Sequence, residues 1–355
     1  MTVLIMFIVF STQAIPGFNI KLTKKIPISQ ETTLLERPRA FCVTEDKLFL
    51  IPDYKAGDVK IYDSNGKLVT VFGRKGYGPG EFSKPAHCFY NKEEGKFGVL
   101  DFGLRKIFIY QKTSKTGFKR VKEVYCLAAG TDIQLKGNKL VISGHKTDQY
   151  GNPNALYYID IIDDKATYLL PSYYRYGLKS YREYEIQHLR KPDIPAIGIG
   201  AWIDIQGESV YYIWEGDLRI IKINMKSGKL DFFGEKPSHY IKPFATKQMI
   251  EGRRNRNTNI VESEKAKMSY IRDIFASPKY VLVIYERPVR QDKESNFRLQ
   301  FYTLDGGFLE DIPIPGKPGK TMCLDKDKDI LYSLTSEMRD DLNEEYFILE
   351  YNIVK

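Results

Sequence analysis

Charged side chains and a histidine gather at the approaches to short apolar stretches of this chain: Arg37, Arg39, Lys84, His87, Asp132, Asp204, Arg272, Asp273 and Lys320. Cations collected at one mouth raise the local concentration of anions. The chemistry expected of these residues is recognition of an anionic or polyhydroxylated ligand, such as an acidic glycan, a peptide carboxylate or a protein. Arg39 and Lys84 flank Pro38 and Pro85, whose locked φ angles set the direction of approach. The four histidines, His87, His145, His188 and His239, offer an alternative. A divalent metal such as zinc or calcium held by them could polarise a carbonyl or activate water in a lyase or hydrolase. Their spacing is loose, and no Ser/His/Asp order or spaced carboxylate pair stands out. No catalytic residue is assigned, and the leading reading needs no cofactor.

Such scattered residues need a scaffold that brings them to one axis. One unit recurs at residues 40–72, 86–125, 132–170, 201–233, 270–312 and 321–353: apolar strand, polar turn, second strand, loop, third strand, Gly turn, fourth strand. Between the first two copies Cys42 and Cys88, Asp53 and Asp101, and Tyr62 and Tyr110 fall in register. Repeats of roughly 40 to 50 residues that each read as four strands are the signature of a β-propeller. The expected fold is all-β, a six-bladed β-propeller with four-stranded blades. The last copy lacks one strand, and residues 18–28 (FNIKLTKKIPI) can supply it. That pairing closes the ring and removes exposed edges.

Composition agrees with one domain over residues 15–355. Aromatic residues make up 13% of the 355-residue chain, with 25 Tyr, which suits a twisted sheet fold. Residues 1–10 are apolar save Thr2, and 11–14 supply small residues, so 1–14 is expected to be an export signal without the usual basic leader. The protein is then secreted, periplasmic or on the cell surface. No Cys follows the apolar run to accept a lipid, and no later run is long enough to span a bilayer. Export and the near balance of 54 basic against 45 acidic residues disfavour nucleic acid as a partner. A monomer is expected. Cys42, Cys88 and Cys323 occupy the same place in the first strands of adjoining blades and are expected to be free and buried; Cys126 lies apart. No spacing suggests structural zinc.

The stretch FGRKGYGPGEFSKP (72–85), followed by VLDFGLRKIFIY (99–110), resembles the NHL-repeat pattern of a Gly-rich connector, a Phe, a Pro and an Asp-bearing strand pair. It is similar to the secreted six-bladed propellers of Bacteroidetes-type bacteria, NHL-like or TolB-like in fold. The resemblance implies that fold and export, and no defined reaction. Its glycines permit the positive φ of a tight crossing loop. Phe82 is expected to wedge between blades, and Asp101 to accept backbone N–H bonds in the turn after its strand. Gly76, Gly78 and Gly80 are not read as a phosphate cradle, because no helix follows them.

Loop lengths point to one working face. Turns joining the first strand to the second and the third to the fourth are short throughout, whereas the excursions at 143–154, 171–198, 234–269, 286–297 and 335–345 all fall on the opposite side. Residues on loops held by a rigid scaffold are where recognition concentrates. The insertions within 171–198 and 234–269 hold thirteen basic against seven acidic residues, a large part of the formal +9. Tyr173, Tyr174 and Tyr176 in the first and Arg253 and Arg254 in the second are candidate contacts, since Tyr and Arg make binding hot spots. Residues 257–270 read as a short helix in a lid.

Overall fold

The computed structural model describes residues 17–126, 132–147, 153–171, 200–214, 217–243, 246–288, 295–338 and 344–355. Blade 1 is β2 (Cys42–Val43), β3 (Phe49–Asp53), β4 (Asp58–Tyr62) and β5 (Leu68–Phe72). Blade 2 is β6 (Pro85–Asn91), β7 (Lys96–Asp101), β8 (Lys106–Lys112) and β9 (Phe118–Tyr125). Blade 3 is β10 (Asp132–Lys136), β11 (Lys139–Thr147), β12 (Pro153–Asp160) and β13 (Ala166–Pro171). Blade 4 is β14 (Ala201–Gln206), β15 (Ser209–Trp214), β16 (Asp217–Asn224) and β17 (Leu230–Phe233). Blade 5 is β18 (Tyr270–Ala276), β19 (Val281–Glu286), β20 (Phe297–Tyr302) and β21 (Phe308–Pro313). Blade 6 joins β22 (Thr321–Asp325), β23 (Ile330–Met338) and β24 (Glu344–Val354) to β1 (Asn19–Pro27), as its missing strand required.

Position in the blade explains the sequence of each strand. Middle strands are covered on both sides by neighbouring blades and read as continuous apolar runs, as in VLVIYE of β19, where only the last residue is partly exposed. Outer strands face solvent on one side and alternate, as in LVTVF of β5. The core consists of clusters lying between blades, one of which packs Leu50, Ile61 and Phe82 against Phe97, Val99 and Phe108. Phe82 is the expected wedge, edge-on to Phe72 and Phe108. Gly73, at φ 73°, is required there because a Cβ would strike the Phe82 ring.

The ring closes through β1, antiparallel to β24 from Asn19 opposite Val354 to Pro27 opposite Phe347, with a bulge between Leu22 and Lys24. Ile20, Ile26 and Ile28 bury their side chains along this seam. Beyond the strand, Ile28 donates its N–H to Tyr346 O (2.9 Å) and Ser29 to Gly66 O (2.8 Å), so the seam is tied to blade 1 as well. The 234–269 excursion carries the expected helix, α2 (Thr258–Lys265), capped by Asn257, whose side chain accepts from Ile260 N. A second helix, α1 (Lys247–Arg254), was not expected. Met249, Met268 and Tyr270, with Val261, pack this hairpin onto the disc.

Candidate functional site

Two buried aspartates hold the chain segments that lead to the axis. Asp53 accepts N–H bonds from Glu36 (2.7 Å) and Arg37 (3.0 Å), and Asp101 does the same for Ser83 (2.7 Å) and Lys84 (3.1 Å). Asp101 also accepts from Leu104 N (2.9 Å), the turn role expected of it. The residue after each aspartate closes the clasp, Tyr54 N to Arg37 O and Phe102 N to Lys84 O. Arg37, Arg39 and Lys84 are thereby delivered to one place. Their charges lie 5.5, 4.0 and 6.0 Å from the centre of the Tyr54 ring. All three are exposed, and among the described residues neither they nor Lys320 form an ion pair.

Next to this patch lies a cavity of about 410 Å3 on the channel axis, lined by side chains from the innermost strands of all six blades. Arg39, His87, Asp132, Asp204, Arg272, Asp273 and Lys320 all reach it, so seven of the candidate residues converge as the repeat register implied. Arg37 and Lys84 stand behind it, beside Tyr54. Two converging residues are already engaged. Arg272 Nε donates to Glu286 (2.8 Å), and Asp204 is held by the Lys326 ammonium, with Oδ2 at 2.6 Å. Arg272, one of the expected cations, is thus paired within the chain. Lys326 reaches Asp204 from blade 6 to blade 4 and lines both this cavity and a second one of about 300 Å3 toward the short turns.

The innermost strands expose edge N–H groups to the channel, and side chains of preceding blades satisfy several of them. Asp132 Oδ2 accepts from Ile203 N in blade 4 (2.8 Å), and Asp204 Oδ2 from Ala276 N in blade 5 (2.7 Å). Cys323 plays the same part toward Val43 N in blade 1. The cysteines are free, as expected; Cys42, Cys88 and Cys126 are buried, whereas Cys323 is partly exposed to the channel. Burial pushes the Cys42 thiol well above its ordinary value and Cys323 up to about 12, so neither is a ready nucleophile.

Ionisation on the blade 2 to 5 side is suppressed by the same enclosure. Burial raises the Asp132 carboxyl to about 8 and lowers the His87 imidazole to about 4; the two face each other at 3.4 Å. Burial also raises Asp273, seconded by the Asp132 charge. The cations of the mouth that pair with no acid among the described residues lie on blades 6, 1 and 2.

His87 and His239, the two histidines whose side chains are described, do not come together. His239 Nε2 lies 2.6 Å from Tyr285 Oη at blade 5, away from the cavity lining, and among the described residues no group of three His, Cys, Asp or Glu is arranged to hold a metal. The side chains of His145 and Arg253 lie outside the described set, as do residues 1–14, Tyr173, Tyr174, Tyr176 and His188. Arg254 is exposed on α1, outside the cavity. Tyr54, Phe102, Gln134, Trp202 and Lys326 belong to the site and were not singled out from sequence. Gln134 and Trp202 stand two residues from Asp132 and Asp204 on the same strands, so the period-2 rule would have found them.

A family model described as 6-bladed beta-propeller (DUF5128) matches residues 28–180, covering the first three blades. The chain is a six-bladed β-propeller. This propeller is similar to a Bacteroides fragilis protein assigned as exported, at 14% identity and TM-score 0.60, covering 95% of this chain and 96% of that one. It is also similar to a member of the DUF4221 family from Bacteroides vulgatus, at 11% identity and TM-score 0.62, covering 96% and 99%. These likenesses are of fold. No curated protein matches the sequence. Among the described residues no helix is long and apolar enough to cross a membrane.

Proposed function

We propose that this propeller is an exported binding module that takes an anionic ligand at the long-loop mouth of its central channel. The observation that carries this reading is the set of Arg37, Arg39 and Lys84 around Tyr54, with Lys320 beside Arg39 on the adjoining blade 6, all lacking an acidic partner among the described residues. Placing like charges together costs free energy, and an anion that enters recovers it. A cavity of this size lies in the range of small-molecule sites. The apolar residues 1–10 and the exported B. fragilis neighbour support export, and the connector at 72–85 supports an NHL-like relationship.

Calorimetric titration with tricarballylate, sulfate and triphosphate tests the reading. At least one should bind in low salt, and the double reversal Arg39→Glu, Lys320→Glu should weaken it at least tenfold with unchanged melting. Equal binding by wild type and variant, or no binding at all, removes the proposal.

A further inference from the structure

Beyond the cation patch, residues of the opposite wall of the cavity carry polar atoms without a hydrogen-bond partner among the described residues. His87 Nδ1 is buried without a hydrogen-bond partner. The Gln134 amide and Asp273 Oδ2 likewise lack one among the described residues, although Asp273 Oδ1 accepts from Ile274 N (2.8 Å). The Gln134 amide carries donors and an acceptor, the free His87 nitrogen donates or accepts according to its tautomer, and a carboxyl oxygen such as Asp273 Oδ2 accepts when ionised and donates when protonated. Hydroxyl groups match such a wall, because each also donates and accepts. The Trp202 and Phe102 side chains also line the cavity, and rings of this kind present an apolar face to the C–H face of a flat ligand.

We propose that the ligand is a short acidic carbohydrate, with its carboxylate against Arg39 and Lys320 and its hydroxyls against His87, Gln134 and Asp273. This rests on the anion-binding reading and narrows it to one chemical class. The cationic side supplies charge recognition, and the opposite side supplies direction. A ligand that leaves His87 Nδ1 unpaired forgoes the bond and keeps the desolvation cost of that nitrogen.

Calorimetry or saturation-transfer NMR with digalacturonate, a glucuronate-terminated disaccharide and sialyllactose tests the class, against the carboxyl-reduced neutral disaccharides and against tricarballylate, an acid without hydroxyls. At least one acidic sugar should bind ten times more tightly than both its neutral counterpart and tricarballylate. Gln134→Leu and Asp273→Leu should each cut acidic-sugar binding several-fold and leave tricarballylate binding within twofold, with melting used to confirm folding. If tricarballylate binds and no acidic sugar binds better, the carbohydrate class is wrong while the anion reading stands. If neither kind binds, both are wrong.

Discussion

Asp132 joins structure to ionisation in a single side chain. It accepts from Ile133 and Ile203 and faces His87, and burial lifts its carboxyl to about 8 from an ordinary 3.8. A carboxyl raised in the folded state contributes stability that is whole below its unfolded value and is lost as pH climbs through the folded one. His87, lowered from 6.5 to about 4, acts the other way: its contribution is present above 6.5 and is lost as pH falls through 4. The two oppose each other below pH 6.5, and only the carboxyl effect remains between 6.5 and 8. The melting temperature is therefore expected to fall across that upper window. Asp132→Asn keeps an oxygen acceptor and should flatten much of the slope in a thermal scan series; an unchanged slope would show that Asp132 ionises normally. Asp132→Ala should cost about 1–3 kcal/mol, because it leaves a buried N–H of blade 4 without an acceptor.

At the scale of elements, the seam between β1 and β24 carries the closure. Deleting residues through Ile28 would expose the β24 edge and strip Ile20 and Ile26 from the core, so loss of cooperative unfolding or aggregation is expected in chemical denaturation and light scattering. A milder probe is Gly66→Ala. Gly66 sits at φ 78°, and a Cβ there would run into the Pro27 carbonyl. Strained conformations of this kind cost of order 1–3 kcal/mol. The same change at Gly80, at φ 80° with open space around the site, carries only the φ strain and should cost less. Equal losses at the two positions would mean that the contact with β1 adds nothing.

At the scale of the whole molecule, charge is unevenly shared between the two faces. The cation patch and the exposed Arg254 and Arg256 of the helical hairpin lie on the long-loop side, whereas Lys67 and Lys229 lie at short turns, the latter 3.0 Å from Asp231. Exposed charges act over about 8–10 Å at physiological ionic strength. Reversing Arg254 and Arg256 should lower the association rate of an anionic ligand at low salt, and the effect should fade as salt is added. Reversing Lys47, Lys67 and Lys229 should change neither rate nor affinity in the same stopped-flow or calorimetric series. A matching response from both faces would reject the one-sided assignment.

The repeat count, the blade boundaries, the closing strand, the turn role of Asp101 and the wedge at Phe82 were all legible in the sequence, because strand alternation, turn glycines and register between copies are local properties written residue by residue. The convergence of seven candidate residues on one axis followed from the same register. What only the tertiary structure decided is how their charges are spent. Glu286 neutralises Arg272, Lys326 crosses to Asp204, and Tyr54 collects three cations, pairings between segments up to 122 residues apart that no local pattern encodes. The shifts of His87 and Asp132 away from their charged forms are likewise a product of enclosure, since desolvation depends on how neighbouring blades close around a side chain.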